Sequence, residues 1–222
     1  QSYQTGVLSR GYGRKTKGFF SAKQGCSALE LGDEPYQFYR KFKNLDVAVD
    51  ENRVRGIQTM RQLKPDLELL LLDDAYQHRY VTAGMYILLT AFDNLYVDDF
   101  LLPTGNLRES RKGADRADVI VVSKCPPALS EKERLKVIQK IAPKKHQEVF
   151  FSAITYDEYI FAEDHKIRIN ELDGRKILLV TGIANPTPLL AFLKEHKLDV
   201  EHIKFADHQF ISEKDQNRIA SR

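Results

Sequence analysis

The sequence predicts an α/β fold: a mainly parallel sheet flanked by helices, in two lobes joined near a β-hairpin. Three observations carry that prediction. Apolar runs of strand length alternate with helix-like segments through most of the 222 residues. The run from Leu67 to Leu72 is broken only by Glu68 and stops on Asp73-Asp74, as a buried parallel strand does when it delivers carboxylates to the C-terminal edge of its sheet. The alternation between residues 156 and 170 reads as a hairpin, the natural seam between a core over 1–155 and a hairpin linker with a smaller α/β lobe over 156–222.

Residues 6–10 end a first strand and enter Gly11-Tyr12-Gly13-Arg14-Lys15-Thr16-Lys17-Gly18, whose glycines permit unusual backbone angles. Asp33 suits the N-cap of a helix reaching residue 40, with Pro35 in its first turn. A short strand over 47–49 and a helix over 51–62, ended before Pro65, lead to the strand at 67–72 and another over 85–92. A loop over 101–110 and a charged segment then precede a strand over 119–122 and a helix over 130–141. Ser130 caps that helix, and Glu133 completes a capping box. A strand over 150–154 closes the first lobe. The second continues from the hairpin, with Asp164-His165 at its turn, into a strand over 176–180, a helix over 187–196 and a strand over 202–205. A last helix begins near Ser212.

Bulk properties exclude several classes. A net charge of +3 is too slight to imply a nucleic-acid partner. The longest apolar stretches, 69–72 and 85–92, fall far short of a bilayer span. Cys26 and Cys125 lack metal-type spacing, which fits reduced thiols in a cytoplasmic protein. No signal peptide is visible. The chain opens on Gln1 rather than methionine, so the expectation is a piece of a longer protein.

Loops at strand ends carry the chemistry-capable side chains. Arg10 and Arg14 offer guanidiniums for anions, and Tyr12 a ring and hydroxyl for a sugar. Asp73-Asp74 is the metal candidate, followed by Gln77, His78 and Arg79; His78 reads as a positioning residue. Arg108-Glu109 suits phosphate or metal contact, and Asp207-His208 pairs a carboxylate with a titratable imidazole. The plainer readings are a basic surface turn for the Arg10–Arg14 loop, a solvated pair for Arg108-Glu109, a structural histidine for Asp207-His208 and a helix cap for Asp33-Glu34; for Asp73-Asp74 the run of polar residues that follows outweighs a simple polar turn. Lys124 is only loosely analogous to a strand-end lysine beside a nucleotide base.

Taken together, the segments resemble a known family. Leu8-Ser9-Arg10-Gly11-Tyr12-Gly13-Arg14, Gly32-Asp33-Glu34-Pro35, residues 73–79, residues 102–109, Val122-Ser123-Lys124-Cys125-Pro126, Gly182-Ile183-Ala184-Asn185-Pro186 and Phe205-Ala206-Asp207-His208 run in the order of the tetraacyldisaccharide 4'-kinases of lipid A synthesis. The resemblance implies a P-loop NTPase-like fold at the cytoplasmic face of the Gram-negative inner membrane. It also implies transfer of the ATP γ-phosphoryl group to the 4'-hydroxyl of a tetraacyl disaccharide 1-phosphate. By that resemblance Asp33 is the base, assisted by His208 with Asp207. Asp73, Asp74 and Glu109 manage Mg²⁺, and Arg108 steadies phosphate charge. Arg10, Tyr12, Arg14, Glu34, Gln77 and His78 line the substrate. Hard carboxylates with phosphate oxygens do not separate Mg²⁺ from Mn²⁺. No G-x-x-x-x-G-K-[ST] motif occurs in the 222 residues, so they are expected to lack ATP turnover by themselves and their sheet to want a strand. Two rivals stay open: a non-catalytic module binding anionic lipid or sugar phosphate, and another P-loop small-molecule kinase.

Overall fold

The computed structural model describes residues 3–161, 165–207, 209 and 211–222, and the chain divides into two compact units, Gln1–Ile154 and Thr155–Arg222. In the first unit β1 (Thr5–Ser9) and the short β2 (Phe20–Ser21) precede α1 (Ala28–Leu31), α2 (Asp33–Lys41), β3 (Leu45–Val49), α3 (Arg53–Leu63) and β4 (Leu69–Leu72). The next elements are β5 (Ile87–Ala91), β6 (Val119–Cys125), α4 (Glu131–Ile141) and β7 (Glu148–Ala153). The strands form two sheets, ordered β2-β3-β1-β4 and β5-β6-β7. Every pairing is parallel except that of β2 with β3.

Parallel register sets the site. Val7 lies between Val47 and Leu71, so the strand ends at Ser9, Val49 and Leu72 share one edge. The ladder runs one bond further there: the Asp50 amide donates to the Ser9 carbonyl at 3.0 Å and the Asp73 amide to the Leu8 carbonyl at 3.1 Å. Beneath this edge Leu8, Ala48 and Met60 form a buried cluster that holds α3 on the sheet. The second sheet carries its own core, in which Ile120 and Val122 of β6 are fully buried against Leu95, Leu129, Val137 and Ile141.

β4 departs from expectation. The leucine run is a parallel strand, but its burial alternates, with Leu69 40% and Leu71 48% exposed. Among the described residues it pairs with β1 alone, and β5 pairs with β6 alone, so each strand is the edge of its own sheet. Ile87 and Leu89 of β5 are likewise exposed.

The second unit opens on an antiparallel hairpin of β8 (Tyr159–Phe161) and β9 (Lys166–Arg168); Asp164, expected at its turn, lies outside the described residues. β10 (Lys176–Thr181) then pairs in parallel with β11 (Asp199–Lys204) across α5 (Thr187–Glu195), and α6 (Glu213–Ala220) follows. Ile169, Leu193 and Leu198 are its buried core. No helix among the described residues is long and apolar enough to cross a membrane.

Two helix starts differ from the sequence reading. Asp33 is the first residue of α2 rather than its cap, because Gly32, at φ 91°, takes the capping position. α3 begins at Arg53, since the Asn52 side chain accepts from the Arg55 amide at 3.0 Å and caps it.

Candidate active site

Three strand ends and one buried guanidinium organise the edge. The Ser9 hydroxyl donates to Asp73 Oδ2 at 2.9 Å, tying β1 to the first aspartate of the pair. Arg53, only 2% exposed, donates to the Asp50 carbonyl at 2.5 Å and the Asp73 carbonyl at 3.1 Å. It thereby clamps the ends of β3 and β4 together, while its Nε is buried without a partner. Burial lowers the Arg53 pKa, and the nearby Asp73 charge opposes that. Asp50 is fully buried and accepts from Arg55 through both oxygens, at 2.7 and 2.9 Å.

The Arg10–Arg14 loop meets the start of α2 by backbone contact. A Cβ on Gly32 would lie 2.9 Å from the Tyr12 carbonyl oxygen and 3.1 Å from Gly11, so only glycine admits this approach. The contact holds Asp33 and Glu34, both exposed, in the first turn of α2 beside the loop. The two arginines of the loop are placed differently. Arg10 is exposed. The Arg14 side chain is 5% exposed and spends its donors internally, on Glu51 at 2.5 Å, the Gly18 carbonyl at 2.8 Å and the Thr16 hydroxyl at 3.1 Å. Arg14 therefore braces the loop in this structure; its substrate contact remains what the resemblance implies. Tyr12 stands 79% exposed at the tip.

The second aspartate sits at φ 42°, in the left-handed region that Asp tolerates better than most residues. It pairs with Arg108 at 2.8 Å across an exposed contact, which raises the Arg108 pKa. Glu109 instead forms a two-pronged pair with Arg116, at 2.9 and 3.0 Å. Among the described residues no group of three or more His, Cys, Asp or Glu side chains is gathered as a metal cage. The donor set nevertheless fits Mg²⁺, which takes one or two carboxylates and leaves its other positions to phosphate oxygens and water. Asp73 and Asp74 are adjacent at a strand end, with a hydroxyl against the first.

His78 and Gln77 follow in the same loop, both partly buried. His78 lines an open cavity of about 520 Å³ with Arg53, Glu51, Val54, Tyr80 and Val81. Burial, then the Arg53 and Arg10 charges, hold its imidazole below the ordinary histidine range. Asp207 lies in the turn after β11 of the second unit, and His208 lies outside the described residues.

The edge thus gathers Asp73, Asp74, Arg53 and His78, with Arg10 near enough to perturb both Arg53 and His78. Such a set places carboxylates that suit a divalent cation beside guanidiniums that suit anionic oxygens. Ser9, Asp50, Arg53 and Arg116 escaped the sequence reading as site residues. The first three had a signal: parallel strands in register end together, so whatever follows β1 and β3 meets whatever follows β4. Arg116 had none, because it lies beyond the strand ends in a 3₁₀ turn over Arg111–Arg116.

A family model described as tetraacyldisaccharide-1-P 4'-kinase matches residues 1–222. The tetraacyldisaccharide 4'-kinase of Flavobacterium johnsoniae is 47% identical over 220 residues, covering 99% of this chain and 64% of that protein. The one from Bacteroides fragilis strain YCH46 is 40% identical over 227 residues, covering 99% and 60%. The crystal structure of the "apo" form of Aquifex aeolicus LpxK in complex with ATP superimposes with a TM-score of 0.73 at 26% identity, covering 95% of this chain and 64% of that one. The chain spans a little under two thirds of the length of these relatives. Matched along all its residues by the family's pattern, with the parallel strands and flanking helices of a solved member, the chain belongs to the tetraacyldisaccharide-1-P 4'-kinase family.

Proposed function

We propose that the full-length protein transfers the γ-phosphoryl group of ATP to the 4'-hydroxyl of a tetraacyl disaccharide 1-phosphate. The observation that carries this reading is the convergence of Asp73, Asp74 and the Arg53 clamp at one sheet edge, in a chain of this family. In the reaction the acceptor oxygen bonds to the γ-phosphorus as the bond to the β–γ bridging oxygen breaks. The hydroxyl proton passes to Asp33, and ADP leaves. Arg10, Tyr12, Glu34, Gln77 and His78 hold the acceptor head, Arg14 braces their loop, and Arg108 meets phosphate charge. His208, with Asp207, takes the assisting role. Asp73, Asp74 and Glu109 would hold Mg²⁺, whose chemistry there is neutralisation of phosphate charge.

Residues 1–155 supply the P-loop-kinase-like core, and 156–222 the hairpin linker and smaller lobe. A tetraacylated acceptor partitions into a bilayer whereas ATP does not, so the protein works peripherally at the cytoplasmic face of the inner membrane.

The test is a transfer assay with γ-labelled ATP, Mg²⁺ and the tetraacyl disaccharide 1-phosphate in mixed micelles. Label moves to the lipid in wild type. Asp33→Ala lowers kcat by about 100-fold or more, as expected for a lost general base. Arg10→Ala mainly raises the acceptor KM, by roughly tenfold, as expected for a lost binding contact. Absence of label on the lipid, with lipid still bound, would leave a binding module and refute the kinase.

A further inference from the structure

The three carboxylates assigned to Mg²⁺ come from two loops, and one side chain outside both motifs touches each loop. Arg116 closes the 3₁₀ turn Arg111–Arg116. Its Nη1 and Nη2 donate to Glu109 Oε2 and Oε1 at 3.0 and 2.9 Å. Nη2 also donates to the Tyr76 carbonyl at 3.1 Å, two residues beyond Asp74. The guanidinium lies over the Tyr76 ring, 4.7 Å from its centroid. That ring is anchored in turn: its hydroxyl donates to the Gly113 carbonyl at 2.9 Å, and it stands edge-on to Tyr86 at 6.1 Å. Gly113 belongs to the same assembly, because a Cβ there would fall 2.6 Å from the Glu109 carboxyl carbon.

This is more than a surface ion pair. Both partners are partly buried, with side chains 28% and 26% exposed, so the pair is partly sheltered from solvent screening. The neighbouring Arg108–Asp74 pair, 55% and 66% exposed, makes a second and much weaker tie between the same two loops. The inner contact also needs arginine: a planar fork grips two carboxylate oxygens, spares a donor for a carbonyl and stacks on a ring, which an ammonium cannot do together. A carboxylate gripped this way keeps further lone-pair sites for a cation or a phosphate-bound water.

We propose that Arg116 is a positioning residue that locks the Glu109 loop to the Asp73-Asp74 loop and so presets the carboxylates for phosphoryl transfer. The proposal rests on the kinase reading above, and its test separates the two.

Amide hydrogen exchange is measured on wild type, Arg116→Met and Arg116→Lys without nucleotide or metal. The Mg²⁺ dependence of label transfer is measured on the same full-length proteins. In Arg116→Met, exchange accelerates together in residues 75–79 and 109–113, while β3 and β6 stay protected. The Mg²⁺ concentration for half-maximal rate rises at least fivefold, kcat falls, and the acceptor KM changes less than twofold. Arg116→Lys, the milder change, follows Arg116→Met, because charge without the fork does not restore the lock. Combined with Glu109→Gln, Arg116→Met adds less than its separate effect. Acceleration in one segment only overturns the proposal, as does an unchanged Mg²⁺ requirement or full rescue by lysine. If wild type transfers no label, the kinase reading fails and the proposal fails with it. If wild type transfers and Arg116→Met matches it, the proposal fails alone.

Discussion

Arg10 and Arg14 stand four residues apart in one loop and are placed oppositely, one exposed and one enclosed. Nothing in their spelling separates them. The difference arises because Glu51 and the Gly18 carbonyl, brought in by the fold, surround Arg14 and leave Arg10 outside. Asp73 is legible as a strand-end carboxylate; the Ser9 hydroxyl on its side chain and the Arg53 guanidinium on its carbonyl follow only once β1, β3 and β4 are set in parallel register, because both lie far from it in sequence. His78 offers a pH test at this scale. Its folded-state pKa lies below the unfolded value of 6.5, through burial and the Arg53 and Arg10 charges. The unfolded chain therefore binds more protons between the two values, and stability drops as pH falls from 6.5 toward the folded pKa. Urea midpoints at about pH 7.5 and about pH 5.5 should show wild type losing more stability than His78→Gln. Equal losses would mean that His78 titrates alike in both states.

At the scale of elements, the cap of α4 is legible in the sequence, whereas those of α2 and α3 fall on Gly32 and Asn52 instead of the expected positions. Ser130 and Glu133 close the expected capping box on α4; on α6, expected only to begin near Ser212, the structure adds a box of Ser212 with Asp215. β2 and α1, of two and four residues, were missed because neither is long enough to show a period. Gly56 in α3 tests how closely the helix sits on the sheet. A Cβ there would meet Leu8 Cδ2 at 2.7 Å and Leu8 Cδ1 at 2.9 Å. Alanine gains about 1 kcal/mol in helix propensity. Overpacking costs roughly 1–3 kcal/mol where the neighbour cannot move, and Leu8 is 0% exposed in the middle of its cluster. The clash wins, so Gly56→Ala is expected to lower stability by about 1 kcal/mol in urea denaturation. A stabilised variant would show that α3 rides up from the sheet at little cost.

For the molecule as a whole, the alternation of strands and helices was enough to place it in the α/β class, because that pattern depends on local periodicity. What it could not show is which strands become neighbours. A four-leucine run looks the same in sequence whether it is flanked on both sides or on one, and among the described residues β4 pairs with β1 alone. That arrangement has a colloidal consequence. Leu69 and Leu71 of β4, with Ile87 and Leu89 of β5, present apolar side chains on strands that, among the described residues, have a neighbour on one side. Edges of this kind template intermolecular pairing unless a charge interrupts them. The 222-residue chain alone should therefore self-associate as its concentration rises, seen as growing mass in light scattering after size exclusion. Leu71→Lys with Leu89→Lys, at positions 48% and 66% exposed, should keep it monomeric to higher concentration with little loss of stability. For this chain, solubility is expected to turn on the rims of two sheets more than on its net charge.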